Sequence, residues 1–135
     1  MVRRRPAIGL FGIFGRSGEL RQIDQALRAV DLHPRMVTEA IKLTMVSLLQ
    51  DHAVGEAPAP QSYNAAAEIV AYCMIGPEGF AGANGEDLTE AVERRIESAL
   101  IAGESLDANL VLLTLHAGVL QPSVIERFGI ETDAE

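Results

Sequence analysis

Three histidines, His33, His52 and His116, and one cysteine, Cys73, are the side chains of this sequence best suited to proton transfer, nucleophilic attack or transition-metal binding. Their spacing works against all three. No histidine has a second histidine or cysteine three or four residues away, the separation that would put two donors on one helical face for zinc. His116 lies in a stretch that is apolar almost throughout, where a lone imidazole is expected to be satisfied by a carbonyl or a neighbouring side chain. Cys73 could face His116 from another helix, and with Tyr72 the three make a candidate pocket. A thiol among apolar side chains keeps its proton, however, and a proton-bearing thiol is a poor nucleophile.

The carboxylates offer little more. Glu86, Asp87 and Glu90 gather behind Asn84-Gly85, but Gly79, Phe80, Ala81, Gly82 and Ala83 lack the alternating oxygen donors that a calcium loop needs. Acidic residues in the first turn of a helix are accounted for by the helix dipole. No metal site and no cofactor are therefore expected, and no catalytic residue stands out.

Composition bounds the rest. The 135 residues are 48% hydrophobic and 22% charged, enough for one domain with a single core. A net charge of −8 opposes the counterion release on which nucleic-acid affinity depends, so nucleic acid is not an expected partner. The single cysteine supplies no internal disulfide and points to a reducing compartment, the cytoplasm. Four phenylalanines, two tyrosines and no tryptophan leave a core of Leu, Ile, Val, Ala and Met. No segment alternates with strand period, and the fold class expected is all-α.

The elements that must position the candidate residues follow from periodicity. Leu106–Leu120 is apolar around its circumference and predicts a central buried helix, with the core centred on Leu110, Leu113 and Ala117. Five to six helices are expected around it, in a domain spanning residues 17–130. The first starts at the potential cap Ser17 and buries Leu20, Ile23, Leu27 and Val30, with Asp24 and Arg28 paired on its outer face. Pro34 opens the second, which runs to His52 and gives way to a proline linker. The third runs from Ser62 to Met74. Gly76–Gly85 reads as an irregular loop, with Phe80 either pinning it to the core or offered to a partner. Glu86–Ala102 is the clearest amphipathic helix, expected to pair antiparallel with the apolar helix behind it. Pro122 opens a short last helix ended by Gly129, and residues 131–135 form an acidic tail expected to be disordered.

Residues 1–16 stand apart. Gly9, Gly12, Gly15 and Gly18 are three apart, which disfavours a helix, and the chain between them predicts an apolar arm. The three arginines before it resemble the start of an export signal, but Arg16 stands where a small-residue cleavage site is needed, and export is not expected. Leu10, Phe11, Ile13 and Phe14 exceed what so short an arm can bury by itself. With Phe80 they are the candidate interaction residues of a small helical module that binds protein, including itself, without catalysis. Two other readings belong to different classes. The arm flanked by Arg3, Arg4, Arg5 and Arg16 could dip into an anionic membrane surface, or a small ligand or substrate could enter a pocket at His116.

Overall fold

The computed structural model describes the backbone of residues 4–53 and 57–131, with side chains from Ser17 onward in those ranges. Within them the chain is helical, without strands: α1 (Arg4–Ala29), a 3-10 turn (Pro34–Met36), α2 (Glu39–Ala53), α3 (Pro60–Ile75), α4 (Pro77–Asn84), α5 (Glu86–Ala102), α6 (Leu106–His116) and α7 (Pro122–Phe128). The side chains of Leu10, Phe11, Ile13 and Phe14, and the acidic tail beyond Glu131, lie outside the described residues.

The helix expected from Ser17 instead begins at Arg4, so Ser17 is an interior residue and not a cap. Pro6 falls in the first turn, where a missing N–H breaks no bond. Each glycine costs about 1 kcal/mol against alanine, but extending a helix already anchored by Ile23, Ala26 and Leu27 does not repeat the cost of nucleating one. Asp24 also departs from expectation. Its carboxylate takes the Lys42 ammonium of α2 at 2.9 Å instead of Arg28 one turn away, tying α1 to α2. The helix ends at Ala29, and the turn behind it is closed by Asp31, held at φ 67°, a left-handed conformation that short polar side chains tolerate better than most.

Pro34 does not open α2. His33 Nδ1 accepts the Arg35 N–H at 3.0 Å and Val37 is extended, so the 3-10 turn cannot propagate. The next helix begins at Glu39, with Thr38 Oγ1 accepting the Ile41 N–H at 3.2 Å. It buries Ile41, Met45, Val46 and Leu49.

Among the described residues α3 is the helix buried on most sides, with Tyr63, Ala66, Ala67 and the unbroken run Ile69–Cys73 all enclosed. Its alanines let neighbours approach closely. α6 is shorter than the apolar stretch that suggested it. It ends at His116, because the Thr114 carbonyl accepts from both Val119 and Leu120 and draws residues 117–120 into a turn. Leu110 and Val111 are buried, Leu113 is half-buried, and Leu112, His116 and Ala117 face outward.

The stretch read as a loop, Gly76–Gly85, contains α4. Gly76 and Gly85, at φ 95° and 94°, make the two sharp turns that isolate it, and Pro77 sets its first residue. A residue with a Cβ is strained at such angles, so glycine at both ends permits a helix of eight residues between longer ones. Phe80 is fully buried, its ring meeting Tyr72 edge to face at 5.6 Å. It anchors α4 to the core and is not exposed to a partner. Asn84 Nδ2 donates to the Val30 carbonyl at 3.0 Å and closes the other end of α4 on α1. α5 buries Val92, Ile96 and Ala99 as its period requires, but Leu100 turns outward. Instead of pairing antiparallel, α5 and α6 meet at 93°, a corner made by Gly103 and the cap Ser105, whose Oγ accepts the Ala108 N–H at 3.0 Å.

Candidate functional site

The three residues nominated for a pocket do not converge. Tyr72 and Cys73 are successive residues of α3 and point to different neighbours, and His116 lies exposed at the end of α6. The Tyr72 hydroxyl donates to Glu93 Oε2 at 2.6 Å, and the same oxygen takes Arg127 Nε at 3.0 Å. This triad joins α3, α5 and α7. Burial, and then the hydrogen bond to the Glu93 carboxylate, raise the Tyr72 pKa well above that of a free phenol, so the hydroxyl stays a donor.

Cys73 is closed in beside Thr114, whose own hydroxyl donates to the Val111 carbonyl at 2.7 Å. Burial pushes the thiol up to about 12, only partly opposed by the Thr114 hydroxyl. At neutral pH it carries its proton and is no nucleophile. Two results follow. Thiol reagents are expected to label the native protein far more slowly than the denatured one at neutral pH, and equal rates would show the thiol to be accessible. Because the folded protein holds this proton more tightly than the unfolded chain, the stabilisation is complete below about pH 8.5, the ordinary thiol value. It is lost as pH rises toward 12. Denaturant midpoints should therefore fall on the alkaline side, and by less in Cys73→Ala.

The amphipathic period of α5 puts Arg95 with the charged residues of its outer face, yet the structure draws it into the corner between helices. The guanidinium spends its donors on two other helices, α3 and α6: Nη1 to Glu68 Oε1 at 2.9 Å, Nη2 to Asp107 Oδ1 at 2.9 Å and to the Ala65 carbonyl at 3.0 Å, and Nε to Asp107 Oδ2 at 3.2 Å. All three charged side chains are about a quarter exposed. The clamp sets the corner between α5 and α6 and holds both to α3. A signal existed in the sequence. Asp107 is the one charge in an otherwise apolar stretch, and burying its helix requires an opposite charge nearby.

Over this corner lies an open groove of about 510 Å³, floored by Ala91, Ser98, Ala99 and Ala102 and reaching Ser105 on the α6 side. Its charged lining is Arg94, Arg95 and Asp107, while Glu90 and Glu97 line a separate cleft with Arg127 and Phe128; Ile101 is the sequence neighbour of Ala102 in the floor. Ile101 is 86% exposed, the most exposed large apolar side chain described, with Leu100 beside it. Two further open clefts, about 360 and 450 Å³, lie on either side of Arg127. None of the three is lined by Tyr72, Cys73 or His116. Among the described residues no three His, Cys, Asp or Glu side chains are grouped to hold a metal ion, and no single helix is long and apolar enough to cross a membrane.

Comparisons with protein-family models, with curated proteins and with solved structures matched nothing.

Proposed function

We propose that this chain is a cytoplasmic helical module that acts by binding protein, above all a second copy of itself, without catalysis of its own. Five helices gathered about α3 and α6 serve with them as the scaffold, and the working surface is the groove at the corner of α5 and α6. The observation that carries this reading is the position of Ile101. An isoleucine so exposed, beside Leu100 and an alanine-floored groove, costs solubility and contributes nothing to the fold, which is the pattern of an apolar surface that another chain covers. The polar groups elsewhere support it, because Arg95, Glu93, Tyr72 and Arg127 hold helices together, and Cys73 is kept protonated.

Association makes thermal stability depend on protein concentration. The wild-type melting temperature is therefore expected to rise with concentration. Ile101→Asp should abolish the dependence while leaving the melt of the dilute protein within about 0.5 kcal/mol of wild type, as for other surface changes. A wild-type melting temperature that does not move with concentration would defeat the proposal.

A further inference from the structure

The outward side of α5 carries a pattern that its own fold does not use. Ala91, Arg94, Ser98 and Ile101 recur at spacings of three, four and three, the repeat by which one helix seats along another. None of the four is buried, whereas Val92, Ile96 and Ala99 on the other side of the helix are. Ala91, Arg94 and Ser98 line the groove, and Ile101, two turns beyond Arg94, continues their row past it. Glu97 stands next to this row and is also exposed. Among the described residues neither Arg94 nor Glu97 is held in an ion pair, unlike Arg95.

Resting on the self-association just proposed, we infer that this row receives α5 of a second copy of the chain, laid antiparallel to it across a two-fold axis. In that direction the row complements itself in size and in charge. The register that sets Ile101 opposite Ala91 of the second copy also sets Arg94 opposite its Ser98, so each large side chain meets a small one and the helices can approach closely. Arg94 then reaches the Glu97 that precedes that serine, and the two-fold axis repeats the ion pair. A parallel arrangement would instead set Arg94 against Arg94. At a net charge of −8 two copies repel over most approaches. A face on which each cation meets the other copy's anion selects a second copy and fixes its register. The contact is isologous, so it closes at two chains and leaves no row open for a third.

The test mixes two full-length variants, Arg94→Glu and Glu97→Arg, and measures mass in solution. Each variant alone sets like charges together at both sites, and its self-association is expected to weaken several-fold. Mixed, the two restore both ion pairs, and a dimer of unlike chains is expected. Both positions are exposed, and melts at low concentration check that the fold is intact. A second measurement involves no charge. Ala91→Cys mixed with Ala102→Cys should be joined by a short thiol crosslinker, whereas two Ala91→Cys chains, their thiols about 15 Å apart along the helix axis, should not. Cys73, buried, stays out of the reaction. Variants that associate alone as the wild type does, a mixture that stays monomeric, or crosslinking no better than that of Ala91→Cys by itself would overturn the assignment. If the wild type is then still dimeric, only the docking face is wrong. If it is monomeric, the self-association reading fails with it.

Discussion

Phe80→Ala is expected to cost about 3–5 kcal/mol. The ring is wholly enclosed, it meets Tyr72 edge to face at 5.6 Å, and it is the one buried side chain with which α4 grips the core. Truncation removes its transfer free energy and leaves a cavity that the short α4, turned by glycines at both ends, cannot collapse to fill. Tyr72 feels the loss twice, because its ring also meets Phe128 of α7 at 6.2 Å and its hydroxyl is committed to Glu93. It cannot shift to fill the gap without breaking that bond. Against a total of roughly 5–15 kcal/mol, such a loss leaves a marginal protein. Denaturant melts of Phe80→Ala and Phe80→Leu would check it, with leucine recovering a good part of the loss. A cost under about 0.5 kcal/mol, the range of surface substitutions, would mean that α4 is not docked through this ring.

Arg95→Met is expected to cost about 2–3 kcal/mol. The estimate lies between the fraction of a kcal/mol usual for exposed ion pairs and the 3–5 kcal/mol lost when a buried one is broken, because the three charges are about a quarter exposed. Methionine keeps the packing of the stem and removes the charge. Glu68 and Asp107 then face each other's side of the corner without a cation, and the Ala65 carbonyl loses its donor. Lysine should not restore the loss, since one ammonium cannot reproduce a planar fork that meets acceptors on two helices at once. A double-mutant cycle of Arg95→Met with Asp107→Asn isolates the pair, and coupling above about 0.5 kcal/mol is expected for residues in direct contact. Additive losses would reduce the clamp to two independent surface charges. The consequence reaches beyond stability. The corner that Arg95 sets is the one over which the groove lies, so the same substitution should weaken self-association.

How much of this could be read in the sequence depended on how each feature is encoded. Fold class was legible because an aliphatic composition without strand period has few alternatives, and α5 was legible because Val92, Ile96 and Ala99 recur at helical spacing while charges fill the opposite side. The apolar stretch from Leu106 was overread. A helix apolar all round signals burial, yet α6 leaves Leu112 exposed and stops at His116, while the alanine-rich α3 is the more enclosed. Hydrophobicity measures side chains, whereas enclosure also depends on how closely neighbours approach, and small residues favour that. Local glycine counting failed at α1 and α4 for one reason: the penalty is a sum of small terms that neighbouring structure overrides, and the glycines that do end helices, Gly76, Gly85, Gly103 and Gly129, are at positive φ. The lone Asp107 in its apolar stretch signals that a cation is needed, but which residue supplies it, and the pairing of Glu93 with Arg127, were illegible because the partners lie 12 to 34 residues apart and no local pattern records such pairings.

The central claim, that the exposed corner of α5 and α6 exists to be covered by another copy, is tested most directly by sedimentation velocity of the intact protein over a range of concentrations. A species of twice the chain mass that grows by mass action, and that Ile101→Asp abolishes without unfolding the protein, is the expected result. A single species of monomer mass at every concentration would contradict it.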